Sequence, residues 1–391
     1  MPSAVMIGAG ATGRGHIGLM LYQNGRTLTF VDKNADLIAA LRERGEYNVR
    51  LLLGTTPQTV CVKDCVYLHT SDTDAFATAV SDCDLVCTAV FDQNLPDVAH
   101  QLLPALSARR NTNREDPLHI ICCENMMDSS ATLKHHVYEL ADDGMQAWLD
   151  VHVAFPNSMI SRIVPRPAPG TIDLVAEDYN EWTVDAAAMR SDLHLPVLQP
   201  VDDQEAYLDR KLFIHNGGHA VCGYMGFHLG HRFIHEAVAD PRVLGVVGPA
   251  LDELGAVVLD MHPIFTVDEI DRYKAALGVR GAVAEMRDEI LRVVRDPMRK
   301  LSARERLVAP AIYAAANGLS YEWLAHGIAA ALRYSHPNDP QSVELAAMLE
   351  VCGVRATIEQ ICSIDDPLLD AIADAYKQFP QFLEQLKGDV G

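Results

Sequence analysis

Lys211, Asn216 and His219 fall within nine positions in the stretch Lys211-Leu-Phe-Ile-His-Asn216-Gly-Gly-His219-Ala. An amine that can lose its proton, an amide donor and an imidazole together suit the oxidation of an alcohol. The amine takes the hydroxyl proton, and the donors hold the oxygen as it becomes a carbonyl. For that work the amine must be neutral, whereas a free lysine titrates near about 10.4. Burial beside a positive charge lowers that value, because both disfavour the ammonium form. Beyond His219 the apolar residues Val221, Tyr224 and Met225 recur at helical spacing. Asn216 and His219, three apart, then share a helix side, with Lys211 expected at or before the helix start. The same residues also suit a surface lysine beside a helix cap, so the rest of the chain has to decide.

The N-terminal part offers a place for a hydride acceptor. Residues 4–7 read as a short buried strand, Gly8-Ala-Gly10-Ala-Thr-Gly13-Arg14-Gly15 as a turn, and Ile17, Leu19, Met20 and Leu21 as a helix. Gly8 permits the tight turn, Gly10 lets the backbone approach a pyrophosphate, and Gly13 lets the helix pack closely on the strand. The helix N-terminus presents N–H groups to the phosphates. A second strand, 27–31, ends at Asp32, about 20 residues beyond the glycines and so placed to hold the adenine-ribose hydroxyls. The predicted cofactor contacts are therefore Gly8, Ala9, Gly10, Ala11, Thr12, Gly13, Arg14 and Asp32. Asp32 favours NAD, since its charge repels a 2′-phosphate; Lys33 beside it leaves room for NADP.

These residues need a sheet to hold them. Residues 35–44, 72–80 and 96–108 read as helices, and 84–90 and 119–123 as buried strands. Residues 49–66 alternate strands with turns at Gly54 and Pro57, and 147–155 reads as a strand. The result is a doubly wound, mostly parallel α/β sheet. Ligands lie beyond the carboxyl ends of such strands, which adds Thr88, Ala89, Val90 and Asn125 to the cofactor side. Asn157, in Phe155-Pro-Asn157-Ser158, is a second amide candidate near the reacting carbon; a turn-stabilising asparagine after proline is the other reading. From about residue 195 strand patterns stop. Helical patterns cover 204–214, 218–239, 245–259, 267–276, 283–295, 304–316, 321–334, 341–352 and 367–385. A chain of 391 residues favours two domains. The division expected is a Rossmann domain over 1–195 and an all-α domain over 196–391 that carries substrate and catalytic groups.

Composition narrows the partners. The formal net charge of −21 is a poor match to nucleic acid, which is bound through basic patches. No run of 18 apolar residues suits a membrane span, and the N-terminus has no basic segment before an apolar one, so a cytoplasmic location is expected. One basic cluster stands out: Arg295, Arg299, Lys300, Arg304 and Arg306. It suits a phosphate or carboxylate anchor, and equally a set of caps and ion pairs with Asp296 and Glu305. The nine cysteines, mostly in apolar runs, read as buried free thiols. Cys61/Cys65 and Cys83/Cys87 lack the tight spacing of a zinc site. His228, His231 and His235 suit one helix face, but no carboxylate or cysteine completes a metal set.

Several of these stretches resemble, in the same order, the polyol-specific long-chain dehydrogenases and reductases. They are Gly8-Ala-Gly-Ala-Thr-Gly-Arg-Gly-His-Ile-Gly18, Val31-Asp-Lys-Asn34, Cys123-Glu-Asn-Met126, Phe155-Pro-Asn-Ser158, Arg162-Ile-Val-Pro165, Lys211 through His219, Asp296-Pro-Met-Arg-Lys-Leu301 and Arg306-Leu-Val-Ala-Pro310. The resemblance covers nearly the whole chain. It implies a Rossmann domain followed by a helical domain, NAD as cofactor, no metal, and a small-molecule polyol or polyol phosphate as partner. It implies Lys211 as general base, Asn157 and Asn216 polarising the oxygen, and His219 orienting a hydroxyl. Arg162, Arg295, Arg299, Lys300 and Arg304 would bind substrate. The substrate pair implied most closely is mannitol 1-phosphate and fructose 6-phosphate. Two departures keep other substrates open. Gly217-Gly218 stands where the branch acting on mannitol 1-phosphate usually has threonine and glycine, and Phe155-Pro-Asn157 looks like the mannitol 2-dehydrogenase branch. Unphosphorylated mannitol and a hexuronate are the alternatives, with a catalytically silent NAD-binding sensor as a third. The complete Lys211, Asn216 and His219 set argues against the sensor.

Overall fold

The computed structural model describes residues 2–52, 57–112 and 114–388, so the turn expected at Gly54 lies outside the described residues. The chain divides into two compact units, Met1–Tyr207 and Leu208–Gly391.

In the first unit the strands are β1 (Ser3–Ile7), β2 (Thr27–Asp32), β3 (Glu46–Leu52), β4 (Gln58–Lys63), β5 (Val66–His69), β6 (Leu85–Thr88), β7 (Leu118–Cys122) and β8 (Val153–Ala154). Six of them form one sheet in the order β5-β2-β1-β6-β7-β8, every pair parallel. Every residue of β6 and β7 is buried, as strands covered on both faces require. Along β1, Ala4 and Met6 enter one core and Val5 and Ile7 the other. The chain runs from β1 outward to β2 and β5, then returns to lay β6, β7 and β8 on the opposite side. The switch point between β1 and β6 is where a doubly wound sheet binds its ligand. Four further strands, β9 (Ser158–Ser161), β10 (Leu174–Glu177), β11 (Glu181–Asp185) and β12 (Gln199–Val201), build two small sheets, β10-β3-β4 and β12-β11-β9.

Two expectations for this unit fail. Residues 147–155 are not a strand: a helix spans Asp143–His152 and only Val153–Ala154 is extended. The Asp142 carboxylate caps that helix by accepting the Met145 N–H at 2.7 Å. Its buried residues, Met145 and Leu149, are four apart, a helical period that outweighs the local alternation. Strands also continue past residue 195, because β12 pairs with β11.

The second unit is helical. Its longest helices are Pro241–Met261 and Leu368–Gly388, with Val267–Gly281, Val308–Asn317, Glu322–Leu332 and Pro340–Cys352 between them. Two of the expected helices are interrupted. The one read over 218–239 stops at His228, where Gly230 takes φ +84°, and resumes at Ile234–Ala239. The one read over 283–295 reduces to short turns around Ala284–Met286 and Ile290–Val294. The two gaps belong together. Ile234 N–H donates to the Asp288 carbonyl at 2.9 Å, and Ile290 N–H to the Arg232 carbonyl at 2.9 Å. Each backbone thereby satisfies groups that a continuous helix would have satisfied internally.

Candidate active site

The dinucleotide end of the first unit is defined by backbone. Gly8 has φ +98°, and a Cβ on it would fall 2.3 Å from the Ala89 carbonyl oxygen, so only glycine fits between β1 and the end of β6. At Gly13 a Cβ would stand 1.8 Å from the Gly8 carbonyl oxygen. At Gly10 it would meet nothing within 4 Å, which leaves that face of the turn open to a ligand. The following turn, Gly13–Gly18, is a π-helix. The Asp32 carboxylate, at the end of β2, accepts the Ala9 N–H at 2.6 Å and the Asn34 N–H at 2.8 Å. An acid is thus fixed against the glycine turn, as a ribose-binding carboxylate must be.

Arg14 has another job in this geometry. It is buried, donates to the Ala9 carbonyl at 2.6 Å and to the Ile172 carbonyl, and lies 5.1 Å over the Tyr47 ring. Burial lowers its pKa. The side chain braces the turn from behind.

The ends of β6 and β7 are joined by Glu124, a residue that spacing alone did not single out. The Thr88 hydroxyl donates to both Glu124 oxygens, at 2.9 and 2.8 Å, and the Val90 N–H donates at 3.0 Å. Burial pushes the Glu124 carboxyl up against these favourable contacts. Phe91 follows Val90 with φ +69° and ψ +148°, and 75% of it is exposed. A bulky residue in that region stores strain of about 1–3 kcal/mol.

Two residues expected near the substrate have hydrogen-bond partners within this unit. The Asn157 side chain donates to Asp128 at 3.0 Å and accepts the Ala131 N–H at 3.1 Å, where helix Ser129–Leu140 begins. These bonds tie Asn157 to a distant helix start instead of to its own turn. Arg162 donates to the Tyr179 carbonyl at 2.9 Å and the Gly15 carbonyl at 3.4 Å, and burial brings its pKa down to about 10.

In the second unit, Lys211 does not stand before a helix. Helix Gln204–Arg210 passes directly into a π-helical turn, Lys211–Gly217, and then into helix Gly218–His228. In a π-turn residue i bonds to i+5. Lys211 and Asn216, five apart, therefore stack on one side, whereas an α-helix at 3.6 residues per turn would turn them away from each other. Gly217 is needed there, because a Cβ would fall 2.8 Å from the Arg306 carbonyl oxygen. The departure from threonine at this position has a steric consequence.

His219 Nε2 lies 3.1 Å from Asp288 Oδ2, and Arg292 donates to the same carboxylate at 2.7 Å. Burial works to raise the Asp288 carboxyl, but His219 and Arg292 outweigh it and hold the pKa below the usual range. Asp288 is 69 residues from His219 and owes its place to the paired backbone breaks described above. His215, between Lys211 and His219, has its ring 6.0 Å from that of His219. Burial first, then Arg280, His219, Lys211 and Arg306, push its pKa well below the usual value. His215 is thus neutral at physiological pH, amid a positive field in an otherwise acidic chain.

The basic cluster is partly spent. Arg299 pairs with Glu305 at 2.8 Å, and Arg306 pairs with the same residue at 2.8 Å. Lys300 is only 4% exposed and turns its amine to the Arg295 carbonyl. Burial, then Arg299 and Arg306, bring its pKa down to about 7. Arg295 and Arg304 remain exposed. The three histidines of the next stretch do not converge. His228 bonds the Ala330 carbonyl at 2.9 Å, His231 the Asp240 carboxylate at 2.7 Å, and His235 stacks on Phe233. Among the described residues no group of three His, Cys, Asp or Glu side chains is placed to hold a metal ion, and no helix is long and apolar enough to cross a membrane.

A parallel sheet with a glycine turn at its switch point, followed by a helical unit with a lysine turn, defines a two-part dehydrogenase, and comparison with known proteins agrees. Residues 2–196 match the mannitol dehydrogenase Rossmann domain and 203–378 the mannitol dehydrogenase C-terminal domain. The chain belongs to the mannitol dehydrogenase family and is a polyol dehydrogenase. It is 32% identical to a mannitol-1-phosphate 5-dehydrogenase of Thermoanaerobacter pseudethanolicus, over 97% of this chain and 99% of that one. It is 35% identical to a protein of the same description from Lacticaseibacillus paracasei, over 96% and 99%. Among solved structures, Pseudomonas fluorescens mannitol 2-dehydrogenase in ternary complex with NAD and D-mannitol superposes with a TM-score of 0.75 at 19% identity, covering 99% of this chain and 94% of that one. A substrate-free D-sorbitol dehydrogenase gives 0.82 at 16% identity, covering 98% and 94%. At such identities these two structures speak for the fold.

Proposed function

We propose that the chain oxidises a sugar alcohol to a ketose with NAD, and that mannitol 1-phosphate and fructose 6-phosphate are its substrate pair. The single observation that carries the catalytic part is the π-helical turn that sets Lys211 and Asn216 on one side, with His219 just beyond. The near-full-length relatives at 32–35% identity support the phosphorylated substrate. NAD is the cofactor: the positive φ of Gly8, the open face of Gly10 and the fixed Asp32 carboxylate fit it. When bound, NAD supplies the acceptor for the hydride. Lys211 takes the hydroxyl proton, Asn216 donates to the oxygen as carbonyl character develops, and His219, with Asp288 3.1 Å from its Nε2, orients a neighbouring hydroxyl. Asn157 supports the turn at Asp128, and Arg14 the glycine turn.

A free polyol is the second reading. It is favoured by the Arg299–Glu305 pair and the inward turn of Lys300, which leave Arg295 and Arg304 as the exposed cations of the cluster not tied to Glu305. An assay of the purified protein against hexitols, hexitol phosphates and hexuronates, following NADH absorbance, separates the readings. Turnover of the phosphate ester with kcat/KM well above that of the free hexitol supports the first. The reverse ranking supports the second, and no turnover on any of them contradicts the assignment of Lys211.

A further inference from the structure

We propose that Phe91 forms an aromatic wall for the adenine half of the bound dinucleotide. This rests on the reading that NAD lies at the glycine turn. Phe91 combines two features that a free protein has no reason to keep together. Its backbone sits at φ +69° and ψ +148°, a region essentially reserved for glycine. The residue is 75% exposed, so burial in the free protein offsets little of the strain.

The strain is imposed from both sides. Ahead of Phe91, the Ala89 N–H donates to the Ile7 carbonyl at 2.8 Å and the Val90 N–H to Glu124 at 3.0 Å. Behind it, the Asn94 N–H donates to the Phe91 carbonyl at 3.1 Å, and the Asn94 side chain donates to the Val90 carbonyl. These ties hold Phe91 at the carboxyl end of β6, beside the switch point where the ligand lies.

One more contact says which half of the dinucleotide the ring meets. Lys33 Nζ donates to Asn94 Oδ1 at 2.9 Å. The loop carrying Phe91 is thereby anchored to the residue next to Asp32, the carboxylate placed for the adenosine ribose. A flat apolar ring there complements a purine face, which stacks on aromatic side chains without a specific hydrogen bond.

The test is equilibrium binding of NADH, ADP-ribose, AMP and nicotinamide mononucleotide to the intact protein and to Phe91→Ala, Phe91→Tyr and Phe91→Gly. Phe91→Ala should weaken NADH, ADP-ribose and AMP alike by about 3- to 10-fold, with nicotinamide mononucleotide unchanged and Phe91→Tyr close to the unaltered protein. Phe91→Gly should weaken AMP equally yet raise the Tm of the free protein, since glycine takes this backbone without strain. AMP affinity unchanged in Phe91→Ala while NADH still binds the unaltered protein would overturn the proposal, as would a loss confined to nicotinamide mononucleotide. A lowered Tm for Phe91→Gly with unchanged AMP affinity would make Phe91 a structural residue. Failure of the underlying reading shows differently: the unaltered protein would then bind none of the four probes, and both would fall together.

Discussion

Two π-helical turns, Gly13–Gly18 and Lys211–Gly217, lie in the two stretches proposed to hold the dinucleotide and the base, yet they are built by opposite means. Such turns are rare and concentrate at functional sites. The first is a backbone device. Its glycines remove side chains so that β1, β6 and the helix close on one another, and its acid is held by main-chain N–H groups. The second is a side-chain device. Its lysine and asparagine depend on the extra residue in the turn for their common side, its His219 stands against Asp288, and Arg280 and Arg306 act on the neighbouring His215. The first fails mainly by loss of shape, with the Asp32 carboxylate as its charged part. The second can fail by loss of charge with its shape intact.

The largest effect follows from the shape of the first. Gly13→Ala places a methyl 1.8 Å from the Gly8 carbonyl oxygen, between two backbone segments. Calorimetry should show no measurable NADH binding together with a lower Tm, the overpacking alone costing about 1–3 kcal/mol or more. Normal NADH binding by Gly13→Ala would remove the distinction between the two turns. Asp32→Ala should leave the fold in place, weaken NAD by roughly 10-fold, the scale of one lost charged hydrogen bond, and weaken NADP less. Equal loss for both cofactors would show that Asp32 does not hold the ribose.

Asp288→Asn probes the second turn by charge alone. It should cut kcat/KM by about 10-fold, or ~1.4 kcal/mol, shift the pH profile of the reaction and leave NADH affinity alone. A drop in Tm with an unchanged pH profile would make the pair with His219 merely structural.

The smallest effect concerns Lys300. Its folded pKa, about 7, lies below the ordinary 10.5 of the unfolded chain. Between those values the unfolded state binds more protons, so this group makes stability rise with pH through that window, and below pH 7 its full cost is present. Lys300→Met should therefore raise Tm most below pH 7, with the gain shrinking toward pH 10. A gain independent of pH would place the cost in packing instead of charge.

The same contrast explains what was legible in the sequence. A backbone site demands glycine at fixed intervals between a strand and a helix, so Gly8, Gly10, Gly13 and Asp32 could be placed, and the sheet around them with its order of strands and helices. A side-chain site recruits partners through tertiary contacts. Asp288 reaches His219 only because two expected helices both break and pair across Phe233 and Glu289. Nothing local to Asp288 announces that. Glu124 stood beside Asn125 in the right strand end, but its bonds to Thr88 and Val90 come from the register of β6 and β7. Asn157 and Arg162 look like site residues by type, and their hydrogen bonds to Asp128, Tyr179 and Gly15 become visible only in three dimensions. Lys211 is expected at or before a helix start because α-helical spacing turns it away from Asn216, whereas the single added residue of the π-turn moves it to the side of Asn216.

The central claim, that Lys211 is the base, is tested most directly by comparing Lys211→Ala with the unaltered protein in polyol oxidation across pH, with NADH affinity measured on the same samples. The unaltered protein should show oxidation rising with pH to a plateau while ketose reduction falls over a similar range. Lys211→Ala should lose oxidation by at least about 10²-fold, lose the pH rise and bind NADH nearly as before. Near-normal oxidation with the same pH profile in Lys211→Ala would contradict the account and place the base elsewhere.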